Sequence, residues 1–175
     1  AGFYDNAITT EVDGTAGFDL RYTLDGRNVS EDDEIYTGSI EIDATSVLKV
    51  RHFSTDTLVL PGLMDFATFF INEPETKLPV VSVASDEAIT LADGDRNLNP
   101  ISSFEYFDRN GEKKATSFGE LDSHGQDSWI NPQRSLDWIS RDEMGYNSGA
   151  KEKIFNYSDR DEYQRFMFRA SGDDN

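Results

Sequence analysis

The sequence predicts a β-rich chain of two domains, a β-sandwich over residues 1–72 followed by a mixed α+β domain over residues 73–175. Three observations predict it. Short runs of alternating apolar and polar residues recur through the first half, parted by glycine-bearing or acidic links, with little helical periodicity. The stretch Asn72-Glu73-Pro74-Glu75-Thr76-Lys77, with Pro79 just beyond, is polar and proline-bearing, as a domain link is. Beyond it the alternation continues, joined by one helix-start signature, Ser140 with Glu143 three residues later.

In chain order, strands are expected first at residues 8–12 and 18–24. FDLRYTL sets Phe18, Leu20, Tyr22 and Leu24 on one face and Asp19, Arg21 and Thr23 on the other, the period of a half-buried strand. Asp25-Gly26 then turns the chain, because glycine takes positive φ without a Cβ clash. Further strands are expected at 35–36, 39–42, 47–53 and 66–71. Tyr22 and Tyr36 should bury their rings while their hydroxyls reach backbone or water. His52 reads as a structural histidine. After the link, a strand at 80–83 leads into a polar loop containing DGDRNLNP. Residues 101–107 form the next strand, with Phe104 and Tyr106 on one face; Asp108-Arg109-Asn110-Gly111 is a hairpin turn, and a return strand runs to Phe118. QRSLDWI (133–139) is expected as a strand with Arg134, Leu136 and Trp138 on one face. A short helix starts at Ser140 and stops at Gly145. KEKIFNY (151–157) and QRFMFRA (164–170) return to strand character, Phe166 and Phe168 sharing a face.

Composition narrows the function. With 37% hydrophobic and 12% aromatic residues the chain can build a packed core. Its formal charge of -18 repels nucleic acid and anionic membranes, while an acidic surface suits an exported protein and divalent cations. There is no cysteine, hence no disulfide framework, thiolate zinc site or cysteine nucleophile. No apolar run approaches the roughly 20 residues of a membrane span, so no transmembrane segment is expected in this chain. No phosphate-cradling GxGxxG or GxxxxGKS occurs. A start at Ala1 without a leader segment reads as a piece of a longer protein, cut before Ala1 and continuing past Asn175.

Chemistry-bearing residues concentrate in SHGQDSWINPQRSLDWISRDEMG (123–145). Just before and within it, Glu120, Asp122 and His124 fall on one face of an extended strand. That face raises the histidine pKa or helps hold a metal, or else is simply a solvated edge. Asp93, Asp95, Asn97 and Asn99 alternate as calcium ligands can, but the EF-hand glycine and closing Glu are out of register, so a solvated loop is expected. The dense block holds Trp129, Trp138 and His124 as ring platforms, whereas residues 1–72 contain no tryptophan on which a glycan could stack.

Two resemblances follow from these residues. GFYDNAITTEV, then LRYTLDGRNVSEDDEIYTGSIEI, then SVLKVRHF resemble the chitobiase/β-hexosaminidase C-terminal type of immunoglobulin-like repeat, with RYTLDG, IYTG and VRHF as its marks. The resemblance spans nearly all of residues 1–70 and implies an immunoglobulin-like β-sandwich, acting as a spacer or as a weak glycan-binding module. KLPVVSVASD, SSFEYFDRNGEK, the HG…PQRSLDWISRDEMGYN block, KEKIF and FRASGDDN follow one another as in the amino-terminal half of the CotH kinase family. That second resemblance covers residues 77–175 and implies a partial kinase-like domain, belonging to a secreted or cell-surface bacterial protein that uses ATP and Mg²⁺ to phosphorylate protein serines or threonines.

By this resemblance Arg134, Ser135 and His124 stand at cofactor-binding positions and Asp174 and Asn175 at metal positions. Many family members carry Lys-Ser where this chain has Arg134-Ser135, and a guanidinium does not reproduce the compact charge of an ammonium. The family's catalytic carboxylates are expected beyond Asn175, so this chain alone is predicted to be inactive. The competing expectation is a non-catalytic surface or adhesion protein that keeps the fold. Its partners would be other secreted or surface proteins, with a glycan as a further candidate.

Overall fold

The structure, a computed structural model, describes residues 1–74, 76–125, 129, 132–147 and 149–170. Two compact units emerge: Ala1–Ser82 with Glu105–Lys114, and Val83–Phe104 with the described residues from Ala115 onward.

In the first unit, β1 (Gly2–Tyr4), β3 (Phe18–Thr23), β4 (Glu34–Ile35), β6 (Ser46–Ser54) and β7 (Met64–Ile71) form one sheet in the order β1-β7-β6-β3-β4. The short pair β2 (Ile8–Thr10) and β5 (Ile40–Ile42) forms a second, antiparallel layer. The expected alternation builds the core between them. Leu20, Leu48, Val50, Phe69 and Ile71 from the large sheet meet Ile40 and Ile42 from the small one, with Tyr4, Ile8, Tyr22 and Leu24 packed around. Burying each of these aliphatic and aromatic side chains contributes about 1.5–3 kcal/mol, which is what holds the two layers face to face. This part is a β-sandwich, as its sequence implies. Tyr36 turns its hydroxyl to the Val12 amide at 3.1 Å. His52 accepts from the Thr15 amide through Nε2 at 3.2 Å and meets Phe18 edge-on, a structural placement. Gly26 has φ 79°, the conformation its turn requires.

The hairpin tip Glu105–Lys114 belongs with this unit. Phe107 packs edge-on against Phe3 and Phe70, which stack on each other with centroids 4.3 Å apart. Glu105, 1% exposed, accepts from the Thr68 amide at 2.6 Å. Thr68 lies just before the β7 residues that pair with β1, so the carboxylate takes a donor that no neighbouring strand reaches.

The second sheet runs in the order β14-β11-β10-β9-β8, with β8 Val80–Ala84, β9 Ile101–Phe107, β10 Lys113–Ser123, β11 Leu136–Ser140 and β14 Arg165–Phe168. Residues 108–112 make the expected turn: the Asp108 amide donates to the Glu112 carbonyl at 2.9 Å, and Asp108 Oδ1 accepts from the Asn110 and Glu112 amides. In the second unit Trp138 lies directly opposite Leu121 on one side and Phe166 on the other, and both Trp138 and Phe166 pack on Phe104. Trp138 and Phe104 are fully buried. These four side chains form the apolar face of the sheet.

Several expectations are corrected. The second half is β structure with one described helix, α1 (Ala88–Asp93), in the stretch expected as a polar loop. No helix follows Ser140 among the described residues. The Ser140 hydroxyl donates to the Asn147 carbonyl and Asp142 Oδ1 accepts from the Asn147 amide, so Ser140 and Asp142 close a turn and Ser140 caps no helix. The QRSLDWI strand begins at Leu136, after Arg134 and Ser135. KEKIFNY is not a strand beyond β12 (Ala150–Lys151), which pairs with β13 (Glu162–Tyr163); its rings stack on one another instead of alternating across a sheet. Strand β9, read from the sequence as a strand with Phe104 and Tyr106 on one face, is buried on both faces from Ser102 to Phe107.

Candidate functional site

The face of the second sheet opposite Trp138 is charged. Because side chains alternate, Asp122 on β10 and Asp137 on β11 lie directly opposite each other there. Glu120 and the residues diagonal to this pair share the same side. Glu120 accepts from Arg141 at 2.5 Å. His124, one step past the end of β10, continues the ladder by donating its amide to the Ser135 carbonyl at 3.0 Å. Its ring Nδ1 lies 2.8 Å from Asp137 Oδ2, and Arg165 of β14 reaches the same oxygen at 2.5 Å. Glu120, Asp122 and His124 thus occupy one face as alternation implies. The histidine pairs with Asp137, its diagonal neighbour on the adjacent strand.

Asp137 is 2% exposed. Burial pushes its carboxyl up, but hydrogen bonds from Arg165 and His124, with the charge of both, outweigh burial and hold it below the usual carboxylate range. An ionised Asp137 can only accept, so the shared hydrogen sits on His124 Nδ1 and, in the neutral ring, the lone pair sits on Nε2. Such a pair can orient an imidazole as a proton acceptor or ligand. Chemistry beyond that needs a nucleophile or further ligands. Among the described residues no group of three His, Cys, Asp or Glu side chains could hold a metal ion.

Arg134 is engaged elsewhere. Its guanidinium lies 5.7 Å from the ring centroid of Trp129, which Arg96 also covers at 5.1 Å. One terminal nitrogen donates to the Ala92 carbonyl at 2.8 Å, at the last turn of α1, where a cation also suits the helix dipole. Gly94 makes room for this: a Cβ there would stand 3.3 Å from the guanidinium. Trp129 in turn donates from Nε1 to the His124 carbonyl at 2.7 Å. The two arginines and the tryptophan clamp α1 to the dense block. Ser135 is buried, its hydroxyl oxygen accepting from the Ala170 amide at 2.9 Å. Asp174 and Asn175 lie outside the described residues. Asp93 ends α1, and Asp95 Oδ1 accepts from the amide and side chain of Asn97.

Residues 1–58 match the family model of the chitobiase/beta-hexosaminidase C-terminal domain. The match covers the marks RYTLDG, IYTG and VRHF, and ends before β7, the strand that completes the large sheet. No curated protein and no solved structure matches the chain. No described helix is long and apolar enough to cross a membrane. The matched segment, residues 1–58, contributes none of the residues of the His124–Asp137–Arg165 cluster. Sequence reasoning named His124 and Arg134 but missed Asp137 and Arg165. Asp137 sits in a strand read for its apolar face, and Arg165 opens a strand read for its phenylalanines.

Proposed function

We propose that this chain belongs to an exported surface protein that binds glycans and does not transfer phosphate, with the chitobiase-type domain as its accessory module. The observation that carries the reading is that the cofactor candidates are all engaged within the protein. Arg134 lies over Trp129 and donates to the Ala92 carbonyl, Ser135 accepts from the Ala170 amide, and His124 is tied through Nδ1 to Asp137, which leaves only its Nε2, a lone-pair acceptor and no cationic donor. These residues do not fit ATP–Mg²⁺, which needs cationic donors converging on a triphosphate. The match at residues 1–58, to a domain named for glycan-cleaving enzymes, supports the extracellular and glycan-associated part.

The second reading is an atypical protein kinase of the CotH type. It is favoured by the order of motifs from residue 77 onward, with ATP and Mg²⁺ as cofactors and Asp174 and Asn175 toward the metal. Calorimetric titration with ATP–Mg²⁺ and a radiolabelled-phosphate assay separate the two when made on the longer protein that the kinase reading requires, because on that reading this chain alone is inactive as well. The proposal expects no saturable heat and no transfer. Transfer that Arg134→Ala abolishes would overturn it in favour of the kinase.

A further inference from the structure

Rings in the second unit form a ladder from core to surface. Phe104 stacks on Phe166 with centroids 4.9 Å apart and planes 5° apart. Phe166 leans on Tyr163 at 5.3 Å, Tyr163 meets Phe155 edge-on at 5.5 Å, and Phe155 stacks on Tyr157 at 5.4 Å. Exposure rises along it: Tyr163 is 5% exposed, Phe155 37% and Tyr157 87%. The turn that carries the last two rings is fixed by its own bonds. The Ser158 amide donates to the Phe155 carbonyl, the Arg160 amide to the Ser158 hydroxyl, Arg160 Nε to the Glu162 carbonyl, and the Tyr163 hydroxyl to the Arg160 carbonyl. Lys153 pairs with Asp159 at 2.9 Å across its base.

We infer that Tyr157, backed by Phe155, is a stacking platform for a sugar ring. A ring whose only task was to stiffen the turn would bury its face; Tyr157 leaves nearly all of its surface to solvent while the turn that carries it is closed by the Ser158–Phe155 bond and its ring stacks on Phe155. An aromatic face preorganised in this way loses little entropy on binding. A pyranose offers a flat C–H face and a rim of hydroxyls. Here the flat face is met by the Tyr157 ring, and the rim by Asn156 and the Lys153–Asp159 pair, exposed polar groups of the same turn. Other occupants fit less well. A proline-rich peptide needs a slot of about 7–8 Å between two rings to seat a third, from carbon contact distances, and these rings have closed on each other at 5.4 Å. A polyanion is repelled by a net charge of -18. This inference rests on the proposal that the protein binds glycans, and it places the contact on the second unit, not on the chitobiase-type domain.

The test is a two-dimensional NMR titration of the whole chain with β-linked pentamers of glucose and of N-acetylglucosamine. Shifts are expected in residues 153–163. Tyr157→Ala should weaken binding about tenfold or more, as removal of a stacking ring does, with an otherwise unchanged spectrum. Tyr157→Phe should stay within about threefold because the ring remains, and Tyr146→Ala, another exposed tyrosine, should bind as the parent does. Sugar binding that shifts other residues and ignores Tyr157→Ala would overturn the platform and leave the glycan-binding proposal standing. No binding to either pentamer would overturn the platform too. Phosphate transfer, measured separately, would overturn the broader proposal by itself.

Discussion

Asp137 is the residue on which the charged face of the second sheet turns, since one of its oxygens receives both Arg165 and His124. Its folded pKa lies below the unfolded value of about 3.9. The stability it contributes is therefore complete above that value and is lost as pH falls through the lower folded one. Asp137→Asn should lower stability at pH 7 by about 1–2 kcal/mol, at the low end for a buried ionic partner because both cations can turn to water. Urea midpoints at pH 7 and at successively lower pH check this: the two proteins should differ at pH 7, and the gap should close as pH falls through the folded pKa of Asp137. Gly119 fails for a different reason. A Cβ there would meet the Ile139 carbonyl and stand 2.7 Å from the Trp138 ring, both at the centre of the sheet. Backbone and a fully buried indole cannot retreat, so Gly119→Ala should cost about 3 kcal/mol or more. A thermal melt with a midpoint within a degree or two of the parent would contradict that packing.

At the scale of elements, the β9–β10 hairpin shows what local sequence decides. Asp108 and Gly111 specify the turn by chemistry that acts within five residues, and the sequence reading of it holds. Gly111 adopts φ 74°, and a Cβ on it would come 3.0 Å from the Phe3 ring. Gly111→Ala should therefore cost about 1–2 kcal/mol from the unfavourable backbone region together with crowding, read as a lower urea midpoint. The strands of the sandwich were legible for the same reason, because Leu20, Val50 and Ile71 sit in alternating runs whose faces differ in polarity. What long-range packing decides was not legible. The FEYF run alternates as a half-buried strand does, yet Glu105 is as buried as its neighbours, because its carboxylate serves the Thr68 amide 37 residues earlier in the chain. Ser140 and Glu143 carry a helix-start pattern, but Asn147, which also donates to the Phe118 and Arg141 carbonyls, draws that segment into a turn. The site divides in the same way. His124 stands out by residue type, whereas Asp137 and Arg165 become partners only when β11 and β14 pair.

For the whole molecule, charge sets the response to pH and salt. At neutral pH a net charge of -18 on 175 residues opposes the compact state by self-repulsion, which salt screens over a Debye length of about 8–10 Å at physiological strength. Lowering the pH toward the glutamate range near 4.3 removes negative charge and should stabilise the fold. Against this stand Asp25, Asp33, Asp108 and Asp137. At each, burial disfavours the ionised form but is outweighed: by Arg27 at Asp25, by the Ser30 amide and Arg27 at Asp33, by the Asn110 and Glu112 amides at Asp108, and by Arg165 and His124 at Asp137. All four have folded pKa values below the usual aspartate value, so each stabilises the protein above about pH 3.9 and ceases to as pH falls through its folded value. The two effects have opposite signs and act in adjacent ranges. Thermal melts in low salt should therefore show a midpoint that climbs from pH 8 to a maximum near about pH 5 and drops steeply below about pH 4. Adding 0.5 M NaCl, expected to shorten the screening length to about 4 Å, should raise the midpoint at pH 8 more than at pH 5 and flatten the climb. It should leave part of the acid-side drop in place, because Asp137 is itself buried and the amide hydrogen bonds to Asp33 and Asp108 are short-range contacts that salt does not screen. A midpoint that fell steadily from pH 8 to pH 5 in low salt would mean that specific ion pairs, not net repulsion, govern the neutral range.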